Sequence, residues 1–259
     1  MLSVLLLSIL LFSATAISAV DFYAYWGDGK AELSNYRVVQ PRYGELRQGY
    51  GIMIFVTEDI HPKTYIKVDS PQANPDRLYV LKLNNILKFT TGLYDYSVMT
   101  SVFSQVAGGR HDFDVRKISL TAQEWCGHVF DEALVRDGEV QGHINSYFER
   151  DGRRDYRFDL PQAYESEDHL LIRIRELQEP FMEVGETREI AILPSLWYLR
   201  QVHRPHALVA GAIGKGETEI LEIGDTTYEA VPWRLVLGAR VRMIWTEVAY
   251  PHRILKWED

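Results

Sequence analysis

Along most of this chain the hydrophobic positions recur every second residue. The runs at 50–57, 64–68, 78–89, 96–106 and 115–120 are β-branched or aromatic and bounded by Gly, Pro, Asn or Asp. That pattern reads as short strands. It returns beyond Pro180 at 188–193, 196–202, 207–213, 218–223, 227–231, 235–246 and 251–257. One helix interrupts it. Ser166 is placed to cap Glu167 and Asp168, and Leu170, Leu171, Ile174 and Leu177 follow at helical spacing. A strand reading, with Ile172 and Ile174 set against Arg173 and Arg175, competes with it. About a dozen strands and one short helix predict a mainly β fold. The expected architecture is a single antiparallel β-barrel or strongly curved half-barrel over residues 20–259, which also hides its sheet edges.

Two Asp-Gly dipeptides give the sharpest local prediction. Asp137-Gly138 and Asp151-Gly152 each sit between strand-like runs, and Asp-Gly supplies the positive φ angles of a two-residue hairpin turn. Together they predict a three-strand meander over about 123–160. Its register sets Arg136 opposite Glu139, Val135 opposite Val140 and His128 opposite Tyr147. Across the second turn Arg150 faces Arg153, Glu149 faces Arg154 and Tyr147 faces Tyr156. One face then carries Glu124, Cys126, His128, Phe130, Asn145, Tyr147, Tyr156 and Phe158. The third strand alternates aromatics with Arg153, Asp155, Arg157 and Asp159, so the charges are expected outside and the Cys-His face inside.

The first nineteen residues carry no such alternation. Leu2 to Ile17 is an almost unbroken apolar run with small residues at its exit. This is the make-up of a cleaved secretory leader, although no Lys or Arg precedes the run. It is short for a membrane span, which needs about 20 apolar residues. A retained anchor and a buried strand are the competing readings. The sequence is therefore expected to be exported, periplasmic or extracellular, and not integral to the membrane after leader cleavage. The last residues, Trp257-Glu258-Asp259, bring no polar tail, as a clipped C-terminus would.

A net charge of −8 argues against a nucleic-acid partner. The single cysteine, Cys126, precludes an intramolecular disulfide, so packing alone must hold the fold. No Asn-x-Ser/Thr sequon, G-x-S-x-G, H-E-x-x-H or EF-hand motif is present. The 211–216 stretch, Gly-Ala-Ile-Gly-Lys-Gly, lacks phosphate-loop spacing and reads as a hairpin turn. His203-Arg204-Pro205-His206 reads as a structural loop.

Reactive residue types at meaningful spacing occur in one segment, Gln123-Glu124-Trp125-Cys126-Gly127-His128. On a strand, Glu124, Cys126 and His128 project to one side, roughly 7 Å per step. They could form an activated nucleophile, with Glu149 or Glu124 orienting the imidazole, or supply ligands to zinc. The structural reading packs Cys126 as a small apolar group and hydrogen-bonds His128 to a tyrosine.

Three stretches resemble a known group: Leu-Tyr-Asp-Tyr-Ser-Val-Met-Thr-Ser at 93–101, the 123–128 segment, and Pro-Ser-Leu-Trp-Tyr-Leu-Arg at 194–200. They are similar to an uncharacterised family of exported bacterial β-barrel-like proteins, often labelled "septum formation inhibitor Maf". The S-x-S-P-R-R-type motif of the cytosolic pyrophosphatases that share the label is absent here. The resemblance implies an envelope β architecture and carries over no catalytic residue or cofactor. The expected function is a non-enzymatic envelope module that binds an amphipathic or lipid-like ligand, or an envelope partner. Tyr147, Tyr156, Asn145 and Phe158 are the expected binding residues, because cavities combine apolar walls with a few polar groups. The alternative is an exported hydrolase or transferase, or a zinc site, built on Cys126 and His128.

Overall fold

A computed structural model describes residues 22–109 and 112–259, so the leader expected at residues 1–19 lies outside the described residues. Eight strands form the first sheet: β1 Glu32–Arg42, β2 Glu45–Ile60, β3 Leu78–Thr91, β4 Tyr94–Gln105, β5 Asp114–Glu124, β6 Gly127–Arg136, β7 Glu139–Ser146 and β8 Arg153–Asp159. Each pairs antiparallel with its sequence neighbour. The second sheet contains β9 Tyr164–Ser166, β10 Thr187–Leu193, β11 Val209–Lys215, β12 Glu219–Ile223, β13 Thr226–Leu237, β14 Arg240–Glu247 and β15 Ile254–Glu258. It is a strongly curled half-barrel, as the strand pattern predicts. Among the described residues three short α-helices accompany the sheets, α1 Phe22–Trp26, α2 Glu167–Arg173 and α3 Leu196–Val202. Among the described residues no helix is long and apolar enough to cross a membrane.

Alternation makes the first sheet two-faced. Met53, Phe55, Leu81, Leu83, Val102, Ile118, Leu120 and Val129 project to one side and are buried. They join Leu170, Leu171 and Ile172 of α2 and Trp233, Leu235 and Ile244 of the second sheet in one continuous core. Each fully buried aliphatic side chain contributes ~1.5–3 kcal/mol by leaving water. Helices α2 and α3 lie across β4 and β5. At the sheet's first edge, the Tyr36 hydroxyl donates to the Ile254 carbonyl of β15 at 2.7 Å, and its ring packs on Trp257.

Several local expectations change. The 196–202 run is helix α3 rather than a strand, burying Leu196, Leu199 and Arg200. Its first amides, Ser195 and Leu196, donate to the carboxylates of Glu167 and Asp168, each at 2.9 Å. Those caps come from 28 residues away and leave no local signature. The 64–68 run is not a strand. Tyr65 there adopts a φ of 53° and packs with Ile60, Val80 and Phe103 in a small separate cluster. Strand β1 is an addition to the expected strands: its burial alternates at every residue, but Glu32, Ser34, Gln40 and Arg42 hold four of its six inward positions, so no hydrophobic alternation marks it.

The first Asp-Gly turn forms as predicted. Arg136 pairs with Glu139 and Val135 with Val140, and Asp137 and Gly138 have φ of 53° and 78°. The second does not. Asn145 pairs with Arg153 and Gly142 with Tyr156, while the Ser146 amide donates to the Gly152 carbonyl at 2.9 Å. A five-residue loop, 147–151, replaces the two-residue turn and shifts the register by five. An odd shift exchanges the faces of one strand relative to the other. β8 does point its aromatics inward and its charges outward, but His128, Phe130 and Asn145 therefore share the outer face with those charges.

Candidate functional site

The segment singled out by its reactive residues proves to be a turn. Glu124 pairs with Gly127, so Trp125 and Cys126 form a two-residue connection between β5 and β6. Gly127 serves a close approach, since a Cβ there would lie 2.5 Å from the Tyr147 ring. Tyr147 is thereby laid over the base of the turn, and its amide donates to the His128 carbonyl at 3.1 Å.

An open groove of about 620 Å³ results on the outer face. Its apolar parts are Trp125, Phe130 and Tyr147, which are 77%, 40% and 76% exposed. Its polar parts are Gln123, His128, Asn145 and Arg153. The Arg153 Nε donates to Asn145 Oδ1 at 3.1 Å, which fixes both at one wall. A second depression, about 420 Å³, continues along the same face beside His143, Asp155 and Arg157.

The expected site residues are thus divided among three places. Cys126 and His128 are exposed and border the groove. Glu149 is exposed in the 147–151 loop. Glu124 is buried on the inner side, beside Tyr96. Cys126 lies beside Tyr94, and that contact pushes the Tyr94 hydroxyl up to about 12. Tyr147 and Asn145 belong to the outer groove, whereas Tyr156 and Phe158 project inward. The Cys-His face is therefore outside and not inside, and the interior expected to hold a ligand is packed with the core side chains. Among the described residues, no group of three His, Cys, Asp or Glu side chains is placed to hold a metal.

Inside, Tyr156 belongs to a different arrangement. Its hydroxyl donates to Asp131 Oδ1 at 2.8 Å, and His206 Nε2 lies 2.6 Å from Asp131 Oδ2. The phenol and imidazole rings stack at 3.9 Å. Burial, and then the Asp131 charge, hold the Tyr156 hydroxyl far above its ordinary range, so it remains protonated. Nearby, His203 and Arg200 approach Asp151 at 3.3 and 3.4 Å. The His203 to His206 loop thus clamps the second sheet to the first through two aspartates.

A serine triad also emerges that the sequence conceals. Ser104 Oγ lies 2.9 Å from His169 Nε2, and His169 Nδ1 lies 3.7 Å from Glu165. The Ser104 hydroxyl donates to the Phe113 carbonyl at 2.7 Å. Its proton is committed there, so the imidazole must be donor and not base. Ser104 is also fully buried. The triad ties α2 to β4 and lacks the polarity of a nucleophile activated by its neighbour.

Comparison with protein-family models, curated proteins and solved structures finds no match in any of the three.

Proposed function

We propose that this protein is an exported, non-enzymatic module of the cell envelope that binds an amphipathic or lipid-like molecule in the outer groove. The observation that carries the reading is the groove's composition. Three exposed rings stand beside an amide, an imidazole and a guanidinium within one 620 Å³ depression. Apolar walls with a few convergent polar groups suit a ligand that has both an apolar and a polar end. Exposed Trp and Tyr serve such a ligand well, because each ring joins an apolar body to a polar atom. The leader expected at residues 1–19 supplies the route to the periplasm or the outside.

Dodecylphosphocholine below its micellar concentration is a suitable probe. Titration followed calorimetrically and by Trp emission is expected to saturate, with a blue shift from Trp125. Trp125→Ala and Tyr147→Ala should each weaken binding at least about tenfold, equivalent to ~1.4 kcal/mol, and Trp125→Phe should restore most of it. Equal binding by wild type and both alanine variants would remove the groove from the account.

A further inference from the structure

Strand β8 ends the first sheet and, among the described residues, pairs with β7 alone. Arg153, Arg154, Asp155, Arg157 and Asp159 along it are exposed. The hydrogen bonds at its two ends, Ser146 to Gly152 and Leu160 to Gly138, show which residues face β7. Even-numbered positions turn their backbone groups toward β7, and alternation leaves those of 153, 155, 157 and 159 directed at the open edge. A bare row of this kind is a template for another strand.

Natural edges are commonly blocked by charge, and a row of one sign would repel any copy of itself. Here the signs alternate along the outer face: Arg153, Asp155, Arg157, Asp159. We propose that β8 pairs antiparallel with β8 of a second copy of this chain, about a two-fold axis at Tyr156. In that register Arg153 faces the partner's Asp159 and Asp155 faces the partner's Arg157, so every outer charge meets its opposite. On the inner face Arg154 comes opposite the partner's Phe158, a guanidinium over a ring.

The backbone parity allows antiparallel registers only about whole residues, and it discriminates among them. Centring on 155 would set Arg153 against the partner's Arg157 and Asp155 against the partner's Asp155. Centring on 157 would set Asp155 against the partner's Asp159. Centres at 154 or 158 leave half of the row unpaired within the strands. Like charges directly opposite destabilise a sheet and unlike charges support it, so one register stands out. The chain's existing contacts leave these groups available. Asp155 bonds His143 at 2.7 Å yet is 89% exposed, and Arg157 reaches Glu139 at 3.6 Å while 66% exposed. The interface is isologous. It would extend the eight strands to a continuous sheet of twice that width, with both outer grooves on the same side. The pairing does not depend on what those grooves bind.

Sedimentation velocity on the full chain tests the pairing through charge exchange. Wild type should show a monomer–dimer equilibrium that shifts to monomer near 1 M salt, where the screening length is about 3 Å. D155R sets two guanidiniums together at each of two contacts, and R157D sets two carboxylates together. Each variant alone should associate at least about tenfold more weakly. An equimolar mixture of D155R and R157D should regain the dimer, as should the D155R/R157D double variant. This restoration also shows that the single variants are folded. A wild type that stays monomeric at high concentration and low salt would overturn the proposal. So would single variants that dimerise like wild type, or a mixture that stays monomeric.

Discussion

The two Asp-Gly dipeptides have the same local chemistry and reach different ends. At 137–138 both residues are exposed and free to adopt positive φ, and a two-residue turn results. At 151–152 only the glycine does so, with φ of 61°. Asp151 is instead drawn inward, where it accepts from Ser146 and pairs with Arg200 and His203. Phe148 follows it, lying under the Arg200 guanidinium at 4.5 Å. Tertiary contacts thus outbid the turn propensity of the dipeptide. Five residues are spent in the loop, and the sheet's inside and outside change places.

The largest test of that contrast removes the two aspartates in turn. Asp151→Ala strands a buried Arg200 and should cost about 3 kcal/mol. Asp137→Ala forces an ordinary side chain to keep positive φ on an exposed turn, at about 1 kcal/mol. Urea denaturation reads both, and equal losses would mean that the inward capture of Asp151 is not what sets the loop.

A second pair probes the glycines that the resulting register places beneath tyrosine rings. A Cβ on Gly142 would meet Tyr156 at 1.9 Å, and one on Gly127 would meet Tyr147 at 2.5 Å. Tyr156 is held by Asp131 and the His206 stack and cannot swing away. Gly142→Ala should therefore cost about 2–3 kcal/mol. Tyr147 is free to move into solvent, so Gly127→Ala should cost less than about 1 kcal/mol.

A pH effect, comparable at most in size, acts on the helix that captures Asp151. Burial, and then the neighbouring Glu167, push Asp168 up to about 6. The folded state thus holds this proton more tightly than the unfolded chain does. The contribution is fully favourable below about 4 and is lost as pH rises toward 6, then stays constant. Asp168→Asn keeps an acceptor for the Leu196 amide and removes the titration. Its stability relative to wild type should rise between pH 4 and 6 by no more than about 3 kcal/mol. A difference that does not change with pH would contradict the buried ionisation.

Much of the fold was legible because alternation survives burial. The runs at 78–89, 96–106, 188–193 and 218–223 all lie in or along strands. Helix α3 was hidden because its capping carboxylates come from α2, and a β-like run of Leu, Trp and Tyr fills it. For the site, the 123–128 segment borders the groove, though as a turn between β5 and β6 and not as one continuous strand. Its sidedness was inverted by a single parity step at 147–151, which no local rule supplies. The 203–206 segment is a structural loop as read, but its role as a clamp was hidden because the partners of His203 and His206, Asp151 in the 147–151 loop and Asp131 on β6, are distant in sequence.

The β7–β8 register decides where the groove and the open edge lie, and a cross-strand disulfide measures it. Asn145 and Arg153 are directly opposed in this structure, at a non-hydrogen-bonded pair where Cα atoms approach to about 4.5 Å. In a Cys126→Ser background, the N145C/R153C variant should oxidise spontaneously and completely to an intramolecular bridge without loss of stability. Two thiols that remain free in the folded protein would contradict the register, and with it the outward groove.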